Sequence, residues 1–351
     1  MSPARDLAYK ILQRVAAGAF ASDLFRLEAA ALDTRDAALA ETLVFGCLRY
    51  QAQLDFLIAH YSGRAQPKLD PEVRLAIRLG IFQLRYLERI PAHAAVTESV
   101  DLVKRARKRS AAGFVNAVLR KVTRDPIAWP DRATELSIAP WMLARWDAQY
   151  GPEIAAQIAK AALDEPESNI NPATGRQQDI GAQSVVPLLE IHPDMTVLDL
   201  CAAPGNKTAQ ALAAGARVTA ADRSLARLQE VPAEAARLLL DASQPLPFAR
   251  KFDRILIDAP CSGIGTLSRN PEIKWRIDPA HIARFPPLQR AILTNALPLL
   301  APDGLLVYST CSLEQEENEA VVAGFPVRST HLRLPGRDPG DGFFAAVITS
   351  V

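Results

Sequence analysis

The chain has 351 residues, with 40 Lys+Arg against 39 Asp+Glu, 49% hydrophobic residues and four cysteines. This composition excludes intrinsic disorder as the main state and suits two or three domains, each with its own core. No apolar run nears the roughly 20 residues that span a bilayer, and MSPARDLAYK carries no secretory signal, so the expected location is the cytoplasm, with no membrane partner. Residues 3–124 are predicted to be helical throughout, because apolar residues recur at intervals of three and four: Leu7, Ile11 and Val15 follow the Ser2-Pro3 helix start, and Val96, Val100 and Val103 form a later stripe. Pro67, Pro71 and Pro91 fall between these segments, where a proline ends one helix or begins the next. The last stripe leads into Lys104, Arg105, Arg107, Lys108 and Arg109, with Arg120, Lys121 and Arg124 beyond. Residues 1–125 hold 20 Lys+Arg and 13 Asp+Glu, a balance of +7, while the remainder is at −6. Such a run suits a polyanion such as RNA, although a solvated helix face is the ordinary reading of a basic run taken alone.

Further helical patterns follow at Trp141–Trp146 and Ile154–Leu163, and the polar stretch Asp164–Pro172 reads as a boundary. From Met195 the texture changes to short apolar runs at 195–201, 216–222, 252–260, 304–311 and 343–349, separated by helical patterns. Near-continuous apolar strands imply a parallel sheet buried on both faces, hence an α/β, Rossmann-like doubly wound domain whose ligands bind beyond the carboxyl ends of the strands. After the first strand comes DLCAAPGNKT (199–208), a turn of small residues opening a helix; it matches neither the dinucleotide nor the P-loop glycine pattern. Asp222 ends the second strand, where a carboxylate can accept hydrogen bonds from ribose hydroxyls, although helix N-caps are as often aspartate. The other strand ends carry Asp258-Ala-Pro-Cys261-Ser-Gly and Ser309-Thr-Cys311-Ser. A single cysteine there would ordinarily be a small buried hydrophobe, but two at converging strand ends point to chemistry. With Cys47 and Cys201 they form no CxxC pair or zinc-like cluster, so reduced thiols and no metal are expected.

The motifs DLCAAPGNKT, DAPCSG, RNPEIKW and YSTCS, in that order, resemble those of the S-adenosylmethionine-dependent RNA cytosine-5 methyltransferases, and GDGFFAAV resembles that family's closing strand. The segments RLGIFQLRYLERIPAHAAVTESVDLVKR and GFVNAVLRKV are similar to the NusB-like helical domain of one branch, the RsmB (Sun) small-subunit rRNA methyltransferases. The resemblance implies a NusB-like RNA-binding domain at 1–125, a helical linker with a shortened RNA-binding insertion at 126–176, and a methyltransferase domain at 177–351, acting as a monomer. It implies methyl transfer to C5 of a cytosine in 16S rRNA, with Cys311 as nucleophile, Cys261 assisting product release and Asp258 bonding N3 of the base. For S-adenosylmethionine it implies Cys201, Ala202, Ala203, Pro204, Gly205, Asn206 and Lys207 at the methionine end, Asp222 on the ribose, Asp241 near the adenine, and Asp258 bordering both ligands. Arg269 and Lys274, around Asn270-Pro271, are expected to face RNA with the basic run.

Three departures stand out. Asn206 replaces a usual glycine and must adopt either a left-handed backbone or another turn. About a dozen residues (165–177) stand where the family carries a strand-bearing insertion, and the stretches 222–241 and 322–340 are short, which hints at trimmed helices or a missing strand. Two other readings compete: a tRNA cytosine-5 methyltransferase, and a non-catalytic RNA-binding ribosome-assembly protein whose α/β part is a relic.

Overall fold

The computed structural model describes residues 2–65 and 68–350, so Pro67 lies outside the described residues. The chain forms two compact units, one of Met1–Glu165 with Ser268–Arg276 and one of Pro166–Leu267 with Ile277–Val351.

The first unit is helical. Pro3–Ala16 starts with proline at its first position, where no amide donor is needed, and buries Ala4, Ala8, Ile11, Leu12 and Val15 along one stripe. Thr34–Arg49 is capped by Asp33, whose carboxylate accepts from the Asp36 amide at 2.8 Å. Pro71–Tyr86 again begins with proline, and Ala92–Arg105 follows Pro91. Their inward residues, among them Leu43, Leu57, Ile77, Ile81 and Val103, form one continuous core. Residues 126–165 pack into this unit: Gln53 donates to the Glu135 carbonyl at 2.5 Å, and Trp146 is fully buried. So does Ser268–Arg276. Arg49 donates twice to the Ser268 carbonyl, the buried Glu272 accepts from the Ala21 amide at 2.9 Å, and the Trp275 indole donates to Leu48 at 2.9 Å.

The second unit is a seven-stranded sheet in the order β3-β2-β1-β4-β5-β7-β6. Its strands are β1 (Thr196–Leu200), β2 (Arg217–Asp222), β3 (Ala236–Leu239), β4 (Phe252–Asp258), β5 (Leu300–Thr310), β6 (Val327–Arg333) and β7 (Phe343–Thr349). Strands β1 to β5 pair parallel, whereas β7 runs antiparallel to both β5 and β6, so the sheet is mixed rather than wholly parallel. Alternate residues fill opposite faces: Val197, Leu256 and Val307 on one, Leu198, Ile255, Ile257 and Tyr308 on the other. Of the stretches expected to be trimmed, 222–241 holds the single helical turn Leu225–Leu228 and then β3, and 322–340 starts at the end of the turn Glu319–Val322 and holds β6. Residues 166–177 form a small antiparallel turn closed by an Ile170–Gln177 bridge. Among the described residues no helix is long and apolar enough to cross a membrane, and no group of three His, Cys, Asp or Glu is placed to hold a metal ion.

Candidate active site

The carboxyl ends of β1 to β5 bring half of the expected cofactor residues and both active-site cysteines to one cavity of about 280 Å³, while Ala202, Pro204, Gly205, Asn206 and Lys207 lie outside its lining. Its wall includes Cys201, Ala203, Asp222, Asp241, Asp258, Cys261 and Cys311, with Leu240, Ala242, Leu288 and Ile292 as an apolar side. Register explains the convergence, since Asp258 is paired across the ladder with Ser309, two residues before Cys311.

After β1 the chain turns sharply. Cys201 adopts φ +64°, a left-handed backbone that is uncommon outside glycine, and Gly205 adopts +94°. A β-carbon on Gly205 would lie 2.7 Å from Pro232 Cδ and 2.8 Å from Val231 Cα, so both conformation and space require glycine there. Asn206 takes the other of its two options: it opens the helix Asn206–Ala213. Its side chain accepts from Arg176 Nε at 2.8 Å and donates to the Gln177 carbonyl at 3.2 Å, pinning the turn from outside. Ala202 and Ala203 are buried and Pro204 is exposed; Ala202 donates to the Ala221 carbonyl at 2.9 Å. The Cys201 thiol is pushed up to about 12 by burial and by Asp258, Asp222 and Asp199.

Each carboxylate is held differently. Asp222 is buried and accepts from the Ala203 amide at 3.2 Å and the Ser224 amide at 2.8 Å. Exposed Asp241 accepts from the Ser243 amide and hydroxyl, which lower its pKa. The buried Lys207 ammonium donates to Asp258 Oδ2 at 2.7 Å, and Ser309 donates to Oδ1 at 3.1 Å. Lys207 therefore fixes the loop rather than projecting into solvent, and it also lies 5.2 Å over the Phe343 ring. Asp199, unremarked in the motif, is almost fully buried; it accepts from Thr208 at 2.6 Å, its Oδ1 has no partner, and burial raises its pKa to about 7.

Cys261 Sγ and Cys311 Sγ lie 3.4 Å apart. The hydrogen bond with Cys311, burial and the charge of Glu317 all push the Cys261 thiol up, so Cys261 keeps its proton at neutral pH. Beneath both cysteines lies a group that the sequence reading missed. The carboxylate of the fully buried Glu317 accepts from the Ser262 amide at 2.8 Å, the Ser262 hydroxyl at 2.5 Å, the Ser312 hydroxyl and Gln289 Nε2 at 3.2 Å.

The expected RNA-facing residues separate. Lys274 does not face RNA: it is 1% exposed in the helical unit, donates to the Arg49 carbonyl at 2.7 Å, and burial lowers its pKa to about 7. Arg269 is half-buried in the same unit. Of the basic run, Lys104 pairs with Asp101, Arg105 with Asp6 and Lys108 with Asp70, leaving Arg107 and Arg109 exposed without a partner among the described residues.

Residues 186–339 match the family of 16S rRNA methyltransferase RsmB/F, and residues 2–124 match the NusB family. A probable ribosomal RNA small subunit methyltransferase B of Synechocystis sp. is 33% identical over 397 residues, covering 93% of this chain and 89% of the relative. The ribosomal RNA small subunit methyltransferase B of Thermus thermophilus is 34% identical, covering 94% of this chain and 88% of the relative. Among solved structures, PH0851 superposes with a TM-score of 0.73 at 19% identity over 94% of this chain and 93% of that one, a likeness of fold.

Proposed function

Because the chain belongs to the RsmB/F family of 16S rRNA methyltransferases, it is an RNA methyltransferase, and we propose that it methylates C5 of a cytosine in 16S rRNA with Cys311 as covalent nucleophile. The observation that carries this reading is the pair of free thiols 3.4 Å apart on the wall of a cavity that also holds Asp222, Asp241 and Asp258.

C5 of cytosine is too weak a nucleophile to take a methyl group unaided. Cys311 gives up its thiol proton to solvent, and attack of its sulfur on C6 forms a C–S bond and moves the C5–C6 π pair towards C5, making that carbon nucleophilic. Asp258, oriented by Lys207 and Ser309, donates from its protonated form to N3 of the base and so stabilises the charge displaced from C6. The lining suits S-adenosylmethionine: Asp222 at a strand end suits the ribose hydroxyls, the apolar side beside Asp241 suits the adenine, and Cys201 and Ala203 would border the methionine end. When bound, that donor supplies an electrophilic methyl group.

Release requires C5 to lose its proton and the Cys311–C6 bond to break, its electron pair returning to sulfur. Addition also consumes the Cys311 sulfur and so removes the first cause of the upward push on Cys261. Cys261 then yields its own proton to solvent more easily and, as thiolate, can take the proton from C5. Within the run 104–109, Arg107 and Arg109 are the cations without an ion pair among the described residues and are available for phosphate contacts.

The test is incubation of the full chain with labelled S-adenosylmethionine and unmodified small-subunit rRNA, mapping 5-methylcytosine. Wild type should label one cytosine, Cys311→Ser none, and Cys261→Ser should accumulate a denaturation-resistant protein–RNA adduct. Turnover in Cys311→Ser would overturn the nucleophile, and label only in tRNA would overturn the substrate.

A further inference from the structure

We infer that Glu317 is a positioning residue which clamps the two cysteine loops together and sets the separation of the Cys261 and Cys311 sulfurs. The inference rests on the proposed roles of those cysteines. Its geometric basis is that one carboxylate reaches both loops at the residue directly after each cysteine. Glu317 Oε1 accepts from the Ser262 amide, and Oε2 accepts from the hydroxyls of both Ser262 and Ser312, which are themselves 3.3 Å apart. Gln289 Nε2 donates both to Glu317 Oε1 and, at 2.9 Å, to the Pro260 carbonyl, so the DAPC segment is held on two sides.

The clamp is itself fixed. The Tyr308 hydroxyl of β5 donates to the Glu317 carbonyl at 2.6 Å, and Asn318 accepts from Thr310 and donates to the Ser312 carbonyl at 3.0 Å. Tyr308, Thr310, Ser312, Gln289, Glu317 and Asn318 are all at most 1% exposed. A second tie runs through the backbone, where the Gly265 amide donates to the Cys311 carbonyl at 2.8 Å. A carboxylate with no hydrogen of its own can accept from both loops at once, whereas an amide in its place presents donors to hydroxyls that already donate. Charge acts with geometry: Glu317 is among the groups that keep the Cys261 thiol protonated. The other titratable groups that act on that sulfur are Cys311 and Tyr308, and Cys201, Asp222, Arg223, Arg227, Asp241 and Asp258 share its cavity.

The experiment uses the full chain and the variants Glu317→Gln, Ser262→Ala and Ser312→Ala, with S-adenosylmethionine and small-subunit rRNA. Misplacing a reacting group by about 1 Å costs on the order of 10²-fold in rate, so Glu317→Gln should lower kcat about 10²-fold with the KM for S-adenosylmethionine little changed. The two serine variants act through one carboxylate, so their combined loss should fall short of the product of the single losses. In parallel, the rate of Cys261 carbamidomethylation by iodoacetamide is followed against pH by peptide mass spectrometry. Loss of the Glu317 charge should move that profile to lower pH, which a simple loss of folded protein would not do. Wild-type kcat together with a wild-type Cys261 profile in Glu317→Gln overturns the clamp. Failure of the wild-type chain to form 5-methylcytosine overturns the reaction instead, and the labelling profile still decides on the clamp.

Discussion

Replacing Lys207 by methionine removes the cation that holds Asp258 while keeping most of the side-chain volume over Phe343. The ammonium and carboxylate are 2.7 Å apart, with side-chain exposures of 9% and 35%. At an effective dielectric near 20 the direct attraction is about 6 kcal/mol. Desolvation of the ammonium opposes it, and the partly exposed carboxylate is screened, so the net loss should be about 2–3 kcal/mol. If most of that is felt at the transition state, kcat/KM falls by roughly 30- to 150-fold, at about 1.4 kcal/mol per decade. The assay is single-turnover methyl transfer for Lys207→Met, Asp258→Asn and the double variant, with folded fraction checked by urea titration. Since the two side chains act as one unit, the double variant should be little worse than Asp258→Asn alone. Strictly additive losses would refute the pairing as the way Lys207 contributes.

Asp222→Ala should weaken S-adenosylmethionine binding about 10- to 100-fold by calorimetry, since the carboxylate also orders the Ala203 and Ser224 amides around the cavity; an unchanged Kd would remove it from the ligand. Lys274 has its folded pKa lowered to about 7 from 10.5, so between those values the unfolded chain binds a proton that the folded chain does not, and stability rises with pH across that window. Lys274→Met should flatten that rise in urea titrations between pH 7 and 10, and parallel curves would contradict it. Arg107→Ala with Arg109→Ala should make the salt dependence of RNA binding shallower by up to about two, roughly 0.7–0.9 per phosphate contact, whereas an unchanged slope would clear that surface of a role.

The parts of this molecule legible in its sequence are those whose physics is local. Strands β1, β2, β4, β5 and β7 announce themselves because burial on both faces demands unbroken apolar runs such as FDRILID and LLVYST. Strands β3 and β6 do not: ARLL and VRSTHLR belong to the outer strands of the sheet, are largely exposed, and carry no apolar pattern. Nor does any local signal give the direction of β7, which is set by its partners. The cysteines, Asp222 and Asp258 were readable because each ends an apolar run. Glu317 was not, since it lies in LEQEENE, a stretch that reads as a solvated acidic turn until the fold buries Glu314 and Glu317 completely. Lys274 misled in the opposite sense. With Arg269 around Asn270-Pro271 it was expected to face RNA, whereas the helical unit encloses it and gives its ammonium a carbonyl.

The shortened stretches are compatible with an intact site because of where its groups hang. Asp222, Asp258, Ser309 and Cys311 project from strand ends whose register is fixed by ladder pairing, so trimming the crossovers after β2 and β5 to the single turns Leu225–Leu228 and Glu319–Val322 moves none of them. The crossover between β4 and β5 keeps the 12-residue helix Phe285–Ala296, and that helix supplies Leu288 and Ile292 to the cavity and Gln289 to the Glu317 network. The long crossover is thus the one whose helix contributes side chains to the cavity, while the two single turns give it, among the described residues, Arg227, whose guanidinium ties back to the Ala203 carbonyl.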